Sequence, residues 1–114
     1  MIWNDTAYPM GRRWVHAEKS LRAEADLPRD VVQVLWDYDR FQPEILRRLR
    51  RRGFEVWVAP GRDPAQIARW HDAVRWVGGR GLLVTLWISC RPRNRGRILD
   101  RIRQLPASAP APVR

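Results

Sequence analysis

The chain has 114 residues, of which 45% are hydrophobic and seven are Trp, so it can bury the core of one small domain. A net charge of +10, carried by 21 Arg and one Lys, makes nucleic acid one candidate partner. The single Cys90 excludes an internal disulfide, and the absence of a signal peptide or an apolar run of roughly 18 residues predicts a cytoplasmic protein without a membrane span, if Met1 is the natural start.

Apolar runs and helical periodicity predict four strands that alternate with four helices. The strands are predicted at about 2–5, 31–36, 54–59 and 81–88. The helices are predicted over Gly11–Ala25, from Pro43 to a stop at Gly53, from Pro64 to about Val77 after the cap Asp63, and over a final segment with Ile98, Leu99, Ile102 and Leu105. The Pro/Ala-rich tail, 106–114, is predicted to be disordered.

This order of elements predicts an α/β fold with one parallel sheet, in which a ligand binds at the carboxyl ends of the strands. Aromatic and acidic residues follow those ends: Trp3, Asp5, Trp36, Asp37, Tyr38, Asp63 and Trp87. Flat rings beside carboxylates suit a sugar, which has apolar faces and a polar rim. The same residue types also occur as core Trp and as Asp helix caps, so this pattern alone leaves both interpretations open.

Four segments, in this order and spacing, resemble the second half of the catalytic domain of glycoside hydrolase family 20, the β-N-acetylhexosaminidases and their relatives. They read "MIWNDT", "LPRDVVQVLWDYD", "LRRRGFEVWVAPG" and "GLLVTLWIS". The resemblance implies that residues 1–105 are strands five to eight of a TIM (β/α)8 barrel. It also implies an amino-sugar glycoside as the ligand and no cofactor.

The resemblance assigns sugar-binding roles residue by residue. Trp3 and Asp5 match the Trp and the acidic residue after strand five, Trp36 matches a Trp of the sugar pocket, and Trp87 matches the Trp after strand eight. Asp37 and Tyr38 complete the predicted substrate-binding set. Ser89 stands where the family often has Glu, and "APGRDP" replaces its Tyr-x-Asp, which weakens the assignment of N-acetylhexosamine as substrate.

The family's catalytic pair is an adjacent Asp-Glu at the end of strand four, and this sequence contains no Asp-Glu dipeptide. The resemblance therefore implies a fragment that carries part of the sugar-binding rim, has no catalytic residue and is inactive alone. Half a barrel would also leave two open sheet edges, which predicts self-association.

Other functions remain open from the sequence. A free-standing basic α/β module could bind nucleic acid through an Arg-rich helix that contains Arg47, Arg48, Arg50, Arg51 and Arg52. The chain could also be a non-functional product of gene decay. No metal site is predicted, because the two histidines fall on different helices, and Cys90 lacks an assignable His partner for nucleophilic catalysis.

Overall fold

The computed structural model describes residues 1–4, 22–38, 40–61 and 63–103, and it shows an α/β fold. One parallel sheet has the order β1-β2-β3-β4, made of β1 (Ile2–Asn4), β2 (Gln33–Asp37), β3 (Val56–Pro60) and β4 (Gly81–Leu82). The described ranges also contain α1 (Pro43–Arg51), α2 (Pro64–Val77) and α3 (Arg95–Arg103), the last after a 3-10 turn at Pro92–Asn94. The predicted parallel sheet in sequential order is confirmed.

The ends of α1 and α2 follow the local signals in the sequence. Pro43 opens α1, and Gly53 closes it with a φ of 88°, a left-handed conformation that costs glycine little. The carboxylate of Asp63 accepts a hydrogen bond of 3.0 Å from the backbone N–H of Ala65 and so caps α2, which ends at Gly78. These boundaries confirm the predicted ones.

The hydrophobic core lies between one face of the sheet and the helices α1 and α2. Its buried members are Leu35, Ile45, Leu46, Leu49, Phe54, Val56, Val58, Trp70, Ala73 and Val74. Trp70 is the largest of the fully buried side chains, and its ring meets the edge of the Phe41 ring at a centroid distance of 4.9 Å. Burial of such aromatic and branched side chains supplies most of the stabilisation of the fold.

The register of the sheet places a different set of side chains on the opposite face. Trp3 lies beside Val34, Val34 beside Trp57, and Trp57 beside Gly81. Because side chains alternate along a strand, this row points away from the core residue Leu35 and from the helices that cover it. A Cβ at Gly81 would come within 2.9 Å of the Trp57 ring, so the glycine leaves the space that this ring needs.

The predicted fourth strand, 81–88, is wrong in its length. Only Gly81 and Leu82 pair with β3, and one further hydrogen bond of 2.8 Å runs from the Leu83 N–H to the Val58 carbonyl. Residues 83–88, here called the strap segment, then leave the sheet. Among the described residues no strand pairs with the outer edge of β4, and the strap segment instead makes contacts through Thr85 and Trp87.

The final helix forms as predicted, but its apolar residues are not buried. Leu99 and Ile102 are exposed, and the one buried residue of α3 is Arg101, whose guanidinium donates a hydrogen bond to the carbonyl of Gly61. A polar contact with the loop after β3 therefore replaces the expected hydrophobic packing. Leu105, the tail 106–114 and most of the predicted helix before Ala25 lie outside the described residues, although Arg22 and Ala23 are helical.

A buried polar cluster links the chain before β2 to β1, β2 and α1. Glu24 is 1% exposed, and its carboxylate accepts hydrogen bonds of 3.0 Å from Arg48 and 2.7 Å from Arg52. The side-chain amide of Asn4 donates to Glu24 at 3.5 Å and to Gln33 at 3.1 Å. A buried carboxylate requires this kind of pairing, because an uncompensated charge in the interior is costly.

Replacement of Glu24 should test how much this cluster stabilises the fold. We expect Glu24→Gln to lower the free energy of unfolding by about 2–3 kcal/mol, because it removes two ion pairs from a buried carboxylate. Glu55→Gln is the matched control, since Glu55 pairs with Arg80 at the surface and should change stability by less than about 1 kcal/mol. Urea unfolding measures both, and equal effects would contradict the stabilising role of the cluster.

Candidate functional site

Four of the predicted sugar-binding residues form one aromatic cluster, here called the aromatic rim: Trp3, Trp36, Tyr38 and Trp87. Trp3 comes from β1 and Trp36 from β2, and the register places both on the face opposite α1 and α2. Tyr38 follows directly after β2, and Trp87 is supplied by the strap segment. The parallel sheet thus brings together rings that are up to 84 positions apart in the chain.

Each of the four residues contacts two others of the aromatic rim. Trp3 lies 6.4 Å from Trp36 and 6.4 Å from Trp87, measured between ring centroids. Trp36 meets Tyr38 edge to face at 5.4 Å, with an angle of 87° between the ring planes. Edge-to-face and tilted pairs at these distances are the favourable arrangements for aromatic rings.

Hydrogen bonds at the Tyr38 hydroxyl complete these contacts. The indole Nε1–H of Trp87 donates to the Tyr38 oxygen at 2.8 Å, and the hydroxyls of Tyr38 and Thr85 are hydrogen-bonded to each other. β1 and β4 are three strand spacings apart, about 14 Å, yet Trp87 reaches Trp3. The ring of Trp87, which follows β4, and the ring of Trp3, on β1, therefore meet over the face of the sheet between these two edge strands.

Two rings of the aromatic rim remain available to a ligand. Trp3 is 46% exposed and Trp87 is 62% exposed, whereas Trp36 and Tyr38 are half-buried. Beneath them, Val34 and Ala59 are fully buried on the same face of the sheet. The rim thus presents amphipathic rings at the surface over a packed layer, and its polar atoms include the Tyr38 and Thr85 hydroxyls.

The acidic residues of the predicted site are less well defined than the aromatic ones. Asp5 lies outside the described residues, and of Asp37 the structure describes only the backbone, as the last residue of β2. Asp63 caps α2, which is the structural role weighed for it in the sequence. The Ser89 hydroxyl accepts a hydrogen bond of 3.2 Å from the Asn94 amide and does not take part in the rim contacts.

The Arg-rich helix divides its charges between internal contacts and solvent. Arg48 and Arg52 pair with Glu24, and Arg50 donates a hydrogen bond of 2.6 Å to the carbonyl of Phe54. Arg47 and Arg51 have no such partner in the described part of the chain, and both are exposed. Of the five arginines in the predicted basic surface, Arg47 and Arg51 are therefore the two whose side chains are not engaged in these internal contacts.

The described ranges contain neither a metal site nor a membrane-spanning helix. No group of three His, Cys, Asp or Glu side chains there could hold a metal ion, and Cys90 is free and exposed. None of the helices in that part of the chain is both long enough and apolar enough to span a membrane.

Sequence reasoning missed the buried polar cluster of Asn4, Glu24 and Gln33. One signal was present, because Gln33 interrupts the apolar run "VVQVLW" at a position that alternation places on the same face as Leu35. A polar side chain at such a position needs a partner. The partner Glu24, however, lies in a segment without any motif, and only the tertiary structure identifies it.

Comparisons of the chain with protein-family models, with curated proteins and with solved structures give no match.

The role of Tyr38 in holding the strap segment can be tested by Tyr38→Phe. Loss of the hydroxyl removes the acceptor for Trp87 and the partner of Thr85, at a net cost of roughly 1 kcal/mol for each bond. We expect the Trp87 indole proton to exchange with water about fivefold faster in a proton–nitrogen correlation spectrum. Thr85→Val keeps the Trp87 bond and should leave the exchange rate nearly unchanged. An unaltered exchange rate in Tyr38→Phe would contradict the role of the Tyr38 hydroxyl in holding the strap segment.

Proposed function

We propose that this chain is part of a catalytic domain similar to glycoside hydrolase family 20, and that it carries part of a rim that binds an amino-sugar glycoside. The observation that supports this proposal most directly is the meeting of Trp3, Trp36, Tyr38 and Trp87 beside the ends of a sequential parallel sheet. Trp3, Trp36 and Trp87 match motif positions of the family, and Tyr38 belongs to the same predicted substrate-binding set.

The chemistry of the aromatic rim suits a sugar ring. A pyranose has apolar C–H faces, which pack against aromatic rings, and hydroxyls at its edge, which need hydrogen-bond partners. The exposed rings of Trp3 and Trp87 supply the first kind of contact. The hydroxyl groups of Tyr38 and Thr85 lie beside the Trp87 indole and can supply the second.

The chain as given would bind without hydrolysis. Glycosidic bond cleavage needs a general acid to protonate the leaving oxygen, and in this family an adjacent Asp orients the acetamido group that attacks the anomeric carbon. The sequence has no Asp-Glu pair. Asp37 is the last residue of β2 and Asp63 lies after β3, so they cannot replace two adjacent carboxyl groups.

The same proposal includes association of the chain through its sheet edges. Among the described strands β1 and β4 each have a neighbour on one side only, and the exposed Ile2 and Trp3 lie on β1. A second half of a barrel, or a second copy of this chain, could pair with such an edge. Sugar binding at the aromatic rim does not depend on this association.

A titration with chitotriose should reveal binding to the aromatic rim. We expect the indole resonances of Trp3 and Trp87 to shift, with a dissociation constant on the order of 1 mM, because only part of a sugar site is present. Trp3→Ala should weaken binding about tenfold. Trp76→Ala is the matched control, because Trp76 lies on α2 and is 89% exposed, and it should leave the affinity unchanged.

The outcome that contradicts the proposal is a set of Trp3 and Trp87 resonances that do not respond to chitotriose. Equal weakening by Trp3→Ala and Trp76→Ala would also contradict it, because the contact would then be nonspecific.

Hydrolysis provides a separate test. Loss of the general acid lowers the rate by roughly 10²–10⁴-fold, so we expect no release of the aryl group from an aryl N-acetylglucosaminide above background. Turnover that disappears in Asp37→Asn would show that this chain carries its own catalytic carboxylate.

A further inference from the structure

A second surface, remote from the aromatic rim, concentrates positive charge in a shallow depression. The depression has a volume of about 310 Å³ and is lined by Arg47, Arg50, Arg51 and Val77. It lies where α1 and α2 end, and no carboxylate lines it. Crossover helices run opposite to the parallel strands they connect, so their carboxyl ends lie at the edge of the sheet away from the rim.

The charges in this depression are not neutralised within the described structure. Ile45, Leu46 and Leu49 face the core, so helical periodicity turns Arg47 and Arg51 to the outside of α1. Among the described residues neither makes a hydrogen bond or an ion pair, whereas Arg48 and Arg52 share the single carboxylate of Glu24. The positive potential of residues 47–52 is therefore directed toward the depression and solvent.

Arg50 forms a fixed wall of the depression. Its guanidinium donates a hydrogen bond of 2.6 Å to the carbonyl of Phe54, which holds the side chain between α1 and the start of the following loop. Among the described residues its buried Nε–H has no hydrogen-bond partner. An ordered water normally satisfies a buried donor of this kind.

An aromatic ring lies next to the depression along the chain. Trp76 directly precedes Val77 on α2 and is 89% exposed, the highest exposure among the large hydrophobic side chains of the described residues. Its neighbours on the outer surface of α2 include Arg69, Asp72 and Arg75, which are polar. One aromatic ring on a polar helix face favours stacking on a base over insertion into a membrane, which needs a wider apolar face.

We propose that Arg47, Arg50, Arg51 and Trp76 bind single-stranded nucleic acid. Arg47 and Arg51 are one helical turn apart, about 6 Å between Cβ atoms, so they can contact successive phosphates of an extended strand. Arg50 adds a third phosphate contact, and a base stacks on Trp76. This inference is independent of the proposed sugar-binding function, since it uses no residue of the aromatic rim.

The experiment is the binding of a short fluorescein-labelled oligothymidylate, measured by fluorescence anisotropy over a range of salt concentrations. Three phosphate contacts predict a slope of roughly −2 for the logarithm of the association constant against the logarithm of salt. Arg47→Gln with Arg51→Gln should reduce the slope to roughly −0.7 and weaken binding roughly 20-fold at about 0.1 M salt. Trp76→Ala should weaken binding about tenfold without a change of slope.

The matched control is Arg93→Gln with Arg97→Gln, which removes the same charge from exposed positions on another part of the chain. We expect it to leave both the slope and the affinity nearly unchanged. Equal losses in the two double variants would overturn the proposal, because binding would then follow net charge alone. Vesicles of anionic phospholipid that bind more tightly than the oligonucleotide, with the same dependence on Trp76, would overturn it in favour of a membrane surface. Circular dichroism first compares each variant with the wild-type chain. We expect unchanged spectra, because all the replaced side chains are at the surface or line the depression.

Discussion

The parallel register of the sheet is the constraint on which the rest of the structure depends. It places Leu35 and Val58 in one row that faces α1 and α2, and it places Trp3 and Val34 in the next row, on the opposite face. A shift of one residue in β2 would exchange these sets, exposing core residues and burying the rings. The apolar core and the aromatic rim are therefore two results of the same pairing.

The buried carboxylate of Glu24 determines which arginines of the basic run are held in internal ion pairs. It pairs with Arg48 and Arg52 and so joins the chain before β2 to one flank of α1. These ion pairs also compensate its own negative charge in the interior. Arg50 is held on the other flank by Phe54. Arg47 and Arg51, which point away from the core, have no carboxylate partner among the described residues, so the unpaired charge of the basic run lies on the outer side of α1.

The sequence predicted those features that local chemistry determines. Pro43, Gly53 and Asp63 set helix ends through backbone geometry and capping, and these predictions were confirmed. The closeness of Trp3, Trp36 and Tyr38 followed from the rule that the ends of neighbouring parallel strands share one edge of the sheet. The predicted length of β4 was wrong because an apolar run is compatible both with a strand and with an irregular segment that packs on the sheet. Its contact between Trp87 and Tyr38, like the burial of Arg101, depends on tertiary partners that no local pattern encodes.

The path of the strap segment changes what the open face of the sheet can do. In a closed barrel the residues after Leu82 would continue along the sheet and pair with a further strand. Here Trp87 contacts Trp3 on the opposite edge strand, and its indole donates a hydrogen bond to Tyr38. These contacts hold the strap segment beside the aromatic rim. A ligand that packs on the exposed rings of Trp3 and Trp87 would add to the contacts that hold the strap segment in place.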